Sequence, residues 1–190
     1  RWAPSGVNTQ PWSVTVVGAA KIKAIGDAIV ALREQNISPN PDYQYYPKDW
    51  FEPYKSRRKA CGLALYSAID VKIDDTAKRK AAWYRNYYFF HAPVGLLFSV
   101  DKRLDTGAWL DSGMLLQNVM LAARGHGLET CPQASLSEYP DVVRKITGLS
   151  KENALICGMA LGFEDPNEPI NQYRTTREAV DSFTTFLLDN

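Results

Sequence analysis

Histidine and cysteine are scarce in this chain of 190 residues, which holds two histidines, His91 and His126, and three cysteines, Cys61, Cys131 and Cys157. No pair of cysteines forms a CxxC, so a zinc site has little support and no metal is expected. An odd, scattered set of thiols builds no disulfide framework. It fits a reducing cytoplasm, with the three thiols expected inside as small apolar residues. No apolar run approaches the roughly 18 residues that cross a membrane, and no secretory signal is visible. Charge of one sign is missing too. Lys and Arg number 22 against 21 Asp and Glu, a net +1, which leaves nucleic acid and acidic membranes without an electrostatic case.

What remains is the composition of a globular protein, 45% hydrophobic and 23% charged, long enough for one substantial core. The β-branched run PWSVTVV, closed by Gly18, predicts a strand. Ile22, Ile25, Ile29 and Leu32, at spacings of three and four, predict an amphipathic helix after it. Residues 36–53 hold four prolines and no period, which predicts a long loop of the kind that serves as a lid or binding segment. Two helices follow over 54–69 and 75–90, then a buried strand over 92–100. The helix of 106–127 is apolar round most of its circumference, which predicts burial in a core or between subunits, with Gly125 and Gly127 ending it. An extended piece entering a loop over 128–136, a helix over 136–149 capped by Ser137, and a strand over 153–163 lead into a polar, proline-bearing tail. The closing run SFTTFLL is apolar and fits no single element. Strands and helices interleave without repeats or a linker, so the reading is one α+β domain over 1–190.

Three stretches carry candidate chemistry. In PSGVN, Pro4 stops a helix, Gly6 allows close backbone approach, and Ser5 and Asn8 offer short hydrogen-bonding groups. The same residues also make an ordinary helix-to-strand turn. In TCPQAS, backbone N–H groups after a proline, in a loop leading to a helix, are donors suited to developing negative charge; the plain alternative is a strand-to-helix connection. Cys131 is not read as a nucleophile, since neither histidine is placed to activate it. YRTTR supplies two guanidiniums, Arg174 and Arg177, each able to grip a phosphate dianion through paired hydrogen bonds or simply to face water. Asp111 is conspicuous on the apolar helix. It is either a solvated first-turn residue favoured by the helix dipole or a polar contact inside a site. The aromatic share is 12%, concentrated at 43–54 and 83–90, where it serves as core, subunit contact or stacking surface.

Together, APSGVNTQPW, LAARGHGLETCPQAS and NQYRTTRE, with RRKACGLALY and FFHAPVGLLF, resemble the FMN-dependent nitroreductase-like flavoprotein family, and within it the branch of nitrobenzoate and dinitroaromatic reductases. The resemblance runs over essentially the whole chain. It implies an α/β/α sandwich of α+β class with a mixed sheet. It also implies an intertwined homodimer with two FMN sites at the interface, helix 107–124 at its centre and SFTTFLL adding a strand to the partner's sheet. The implied donor is NADPH or NADH, and the implied reaction is ping-pong two-electron reduction of nitroaromatics or quinones. FMN then carries the chemistry, with no catalytic side chain acting as acid or base.

For the site, the resemblance implies that Pro4, Ser5, Gly6 and Asn8 reach across the dimer to the flavin, while Gln10 and Trp12 brace them. Pro132, Gln133, Ala134 and Ser135 line the ring, with the Ala134 N–H nearest N5. Arg174 and Arg177 close on the phosphate, and Asp111, Arg85 and Asn86 are further contacts. Family members carry an Arg-Arg-Ser-x-Arg segment ahead of this point. The chain, which opens on Arg1 without methionine, is expected to lack that N-terminal piece. Two other functions stay open: a specialised flavin reaction such as reductive dehalogenation, and a flavin-binding dimer without turnover.

Overall fold

In the computed structural model, which describes residues 1–188, four strands share one sheet in the order β1-β2-β4-β3. β1 (Trp12–Gly18) and the short β3 (Glu129–Gln133) are the edges; β2 (Val94–Asp101) and β4 (Asn153–Gly162) lie between them. The mixed sheet expected from the resemblance is antiparallel in every pair among the described residues. β2 and β3 do run in the same direction, joined by the helix α4 (Thr106–Gly125). β4 is threaded between them and pairs antiparallel with both, so no parallel neighbours remain.

Each face of the sheet is covered, which is why the central strands read as near-continuous apolar runs. On one face, Ile22, Ile25 and Ile29 of α1 (Ala19–Glu34) and Val143 of α5 (Pro140–Thr147) join Val17, Leu97 and Leu155. On the other, Leu115 of α4, with Leu116, Val119 and Met120, meets Leu96, Phe98, Val100 and Met159. One side of α4 is therefore buried in the core of this chain. Leu110 and Leu121 on its remaining surface are 69% and 60% exposed.

A bulge breaks the alternation of β4. Phe98 opposes Cys157 while Ser99 opposes Leu155, so Ile156 is the extra residue. Ile156 and Cys157 consequently both join the α4-side core.

The helix expected over 75–90 stops early. α3 (Thr76–Tyr84) gives way to a tight turn, Arg85–His91, in which Phe89, Phe90 and His91 adopt φ of 51°, 53° and 65°. Left-handed backbone is unfavourable for such residues, and packing sustains it here. The Phe89 ring is wholly buried, and a Cβ on Gly95 would lie 2.6 Å from it and one on Gly158 3.2 Å. The ring thus fills a slot that two strand glycines leave open.

Ser137 does not cap α5: Tyr139 precedes that helix, and the Ser137 hydroxyl donates to the Ala134 carbonyl at 2.7 Å. A 3-10 turn over Ala134–Glu138 displaces the expected cap position. Of the three thiols expected inside, only Cys157 is buried; Cys61 and Cys131 are exposed. β3 is an edge strand, and α2 (Tyr54–Ala68) has no buried residue.

The chain gathers into two compact units: Arg1–Lys48 with Thr76–Glu164, which holds the sheet, and Asp49–Asp75 with Asp165–Asn190. The second unit contains α2 and a short turn at Pro169–Asn171. Within it Phe183, Phe186, Leu187 and Leu188 are exposed, and SFTTFLL forms no strand in this chain. Among the described residues no helix is long and apolar enough to cross a membrane.

Candidate functional site

The N-terminal motif folds as a 3-10 turn over Gly6–Asn8. Ser5 O accepts the Asn8 N–H and Ser5 Oγ accepts the Gln10 N–H, both at 3.0 Å, while the Gln10 side chain donates to Asn8 O at 3.1 Å. Val7, Asn8 and Gln10 all take positive φ. Gln10 braces the turn, as expected, and Trp12 packs into the α4-side core. Pro4, Gly6 and Asn8 remain exposed, with Ser5 half-buried.

Asp111 settles between its two readings. It is 8% exposed, so it is not a solvated surface residue, and its Oδ2 accepts the Gly6 N–H at 3.1 Å. Its role within the chain is to hold the turn. A Cβ on Gly6 would meet only Asp111 Oδ2, at 3.9 Å. The chain's own packing therefore does not require glycine there, and the freedom it gives faces outward.

The second motif closes β3. Proline is tolerated at Pro132 because β3 is an edge strand. Gln133 is 3% exposed, and its Nε2 donates to the Asn86 carbonyl at 2.7 Å. That contact fixes the amide, so Gln133 Oε1 is left buried without a hydrogen-bond partner among the described residues, as is Ser135 Oγ. Ala134 opens the following turn, which no side chain caps. Beside it lies a cleft of about 530 Å³ lined by Tyr43, Tyr45, Tyr46, Ala134, Ser137 and Glu138. Burial pushes the Glu138 carboxyl above its usual range, against the Tyr87 hydroxyl and Arg33.

These orphaned acceptors fit a flavin, whose ring N3–H and ribityl hydroxyls are donors, and the uncapped backbone N–H groups suit its ring oxygens and N5. Within one chain the N-terminal turn and the Gln133 cluster are separate constellations; no hydrogen bond joins them among the described residues. Asn86 is present at the second cluster through its carbonyl, while its side chain donates to Trp83 O.

Sequence reasoning missed how the long loop is anchored. β3 pairs only with Gly158–Gly162, which leaves the first half of β4 without a neighbour on that side. Loop and α5 side chains take the place of a strand. Asp42 accepts the Leu155 N–H, Tyr43 donates to the Ile156 carbonyl freed at the bulge, and Arg144 donates to the Asn153 carbonyl. Arg144 also pairs with Asp42, whose second oxygen meets Lys102 at 2.9 Å. The Tyr43 ring rests on Trp109 with centroids 4.5 Å apart. Burial raises the Tyr43 hydroxyl to about 12. The four prolines announced a loop, but nothing in the sequence paired Asp42 with a residue a hundred positions away.

Arg174 and Arg177 lie in the second unit. Arg174 donates to the Asn171 and Tyr173 carbonyls at 2.6 and 2.9 Å, and Arg177 to Thr175 and Thr176. Both are exposed and, among the described residues, bonded only to their own segment.

A model described as Nitroreductase family matches residues 1–163. A 4-nitrobenzoate reductase of Nocardioides sp. (strain LMS-CY) is 38% identical over 191 residues, 99% of this chain and 77% of that protein. The crystal structure of an FMN and NADPH-dependent nitroreductase, NfnB from Sphigopyxis sp. strain HMH, superposes with a TM-score of 0.93 at 36% identity, covering 99% of this chain and 85% of that one. An FMN-dependent NfnB from Mycobacterium smegmatis in complex with NADPH gives 0.91 at 30% identity, covering 97% and 82%.

Proposed function

Because this chain belongs to the nitroreductase family, we propose that it is an FMN-dependent oxidoreductase. It takes electrons from NADPH or NADH and passes them two at a time, in ping-pong order, to nitroaromatics or quinones. The observation that carries the site is the pair of buried acceptors, Gln133 Oε1 and Ser135 Oγ, without partners on either side of Ala134. An unpaired buried polar group costs about 1–3 kcal/mol, a cost that a bound donor removes.

When bound, FMN supplies hydride exchange at its N5. The chain supplies orientation. Gln133, locked by Asn86 O, presents an acceptor; Ala134 offers its N–H toward N5; Ser135 adds a hydroxyl; and Pro132 shapes the approach. Arg174 and Arg177 hold the phosphate, exchanging backbone carbonyls for a dianion that they bind more strongly. No side chain need move a proton in this reading.

The Ser5–Asn8 turn serves a second copy of the chain. It is exposed, and it is held by Asp111 on the helix whose Leu110 and Leu121 are uncovered. Those residues and the exposed SFTTFLL run support a homodimer with each flavin contacted by both copies, and the free thiols suit the reducing cytoplasm. The test of the site is FMN affinity. Gln133→Leu removes the orphaned acceptor and should weaken FMN binding about tenfold in a fluorescence titration; unchanged affinity would remove Gln133 from the site.

A further inference from the structure

Where α1 ends beside α3, within the first unit, lies a second cleft of about 510 Å³, lined by Arg33, Ser38, Lys80, Trp83, Tyr84 and Tyr139 with neighbouring loop residues. It shares no lining residue with the cleft beside Ala134. Hydrogen bonds fix its wall. Asn36, at φ 57°, turns the chain off α1, and the Ile37 and Asn36 N–H groups close on the Leu32 and Arg33 carbonyls at 2.9 and 3.0 Å. This Schellman closure uses up carbonyls that would oppose an anion at that helix end. The Tyr139 hydroxyl then donates to Ile37 O at 3.2 Å. Arg33 is only partly engaged: its Nη1 donates to the Tyr87 hydroxyl at 3.0 Å and meets Glu138 at 3.4 Å, and among the described residues no second carboxylate reaches the guanidinium. Burial works against the Glu138 charge that opposes it.

Rings accompany the cations. Arg33 Cζ lies 6.0 Å and Lys80 Nζ 5.5 Å from the Tyr84 ring centre. Trp83 is 41% exposed, and its indole is held by an Nε1–H bond to the Tyr87 hydroxyl at 3.1 Å. Lys80 pairs with Glu34 at 2.7 Å, but both are half exposed, and water weakens such a pair. We propose that this cleft binds a flat aromatic monoanion, an arene bearing one carboxylate, at a site separate from the flavin's. The carboxylate takes paired hydrogen bonds from Arg33, whose planar fork matches its two oxygens. Lys80 adds a second positive charge, and the arene lies against Trp83 and Tyr84.

The test is calorimetry on the holoenzyme with 1-naphthoate, which carries no nitro group, against its uncharged counterpart 1-naphthamide. The acid should bind at least about tenfold more tightly than the amide. Arg33→Gln should bring the acid down to the level of the amide, and Arg33→Lys, which cannot pair both oxygens, should recover only part of the difference. Lys80→Gln should weaken the acid about threefold. Because Arg33 also braces Glu138, a second variant leaves that network intact: Ser38→Glu, at an exposed position, sets a like charge in the cleft and should weaken the acid about tenfold while the melting temperature holds. No binding of naphthoate, equal binding of acid and amide, or an acid affinity that Ser38→Glu leaves unchanged would each overturn the proposal. A protein that no nicotinamide reduces, yet that binds naphthoate in this pattern, would refute the reductase reading and leave this site standing.

Discussion

Asp111 Oδ2 accepts the Gly6 N–H at 3.1 Å, tying the middle of one chain to a turn 105 residues earlier. A hydrogen bond to a charged acceptor contributes about 1.5–3 kcal/mol. Asp111→Ala should therefore release the turn, speeding amide exchange at Gly6 about 30-fold, whereas Asp111→Asn keeps an acceptor oxygen and loses less. Unchanged protection of Gly6 in the alanine variant would mean that something else holds the turn.

Ser135→Ala should separate apoprotein from holoprotein. Its hydroxyl is buried and unpaired among the described residues, so its removal should stabilise the FMN-free protein by about 1 kcal/mol. The same change should weaken FMN binding several-fold and shrink the rise in Tm that saturating FMN gives. Equal destabilisation of both forms would show that the hydroxyl is satisfied without the cofactor.

Asp42 and Arg144 offer a test that depends on pH. Burial works against the Asp42 charge, but the Leu155 N–H, Lys102 and Arg144 outweigh it and hold the carboxyl below its usual range. A carboxylate lowered in this way stabilises the fold above its unfolded-state pKa near ~3.9, and the contribution is lost as pH falls through the native value. Asp42→Asn takes from Arg144, 8% exposed, one of its two carboxylate partners and leaves it Asp141 at 3.0 Å and the Asn153 carbonyl, and should cost about 2 kcal/mol at pH 7. The gap in urea midpoint between wild type and variant should narrow from about pH 4 downward; a gap as wide at acid pH as at neutral would contradict this.

The regular elements were legible because their signals are local: alternating β-branched residues for β1, a three-and-four spacing for α1, unbroken apolar runs for β2 and β4. The left-handed turn at Phe89 was not, since it depends on Gly95 and Gly158 leaving room on strands that come later in the chain. The anchoring of the loop on β4 depends on a bulge at Ile156 that no sequence pattern announces. At the site, the sequence marked Asp111 as anomalous without revealing Gly6 as its partner, and marked Asn86 without showing that its carbonyl is what holds Gln133.

α4 provides the test of assembly. Leu110 and Leu121 are 69% and 60% exposed on a helix whose other side is core. Leu110→Glu with Leu121→Glu should leave the fold intact, since exposed substitutions usually cost under about 0.5 kcal/mol. It should convert a dimer into a monomer by light scattering and lower FMN retention with it. A wild-type protein that is already monomeric with FMN bound would refute the shared site.

The central claim is tested most directly by adding NADPH, then NADH, to the FMN-loaded protein without oxygen, while following the oxidised-flavin absorbance. Rapid bleaching, reversed on addition of a nitroaromatic such as 4-nitrobenzoate, is the expected result. A loaded flavin that neither nicotinamide bleaches, or whose reduced form the nitroaromatic leaves unchanged, would contradict it.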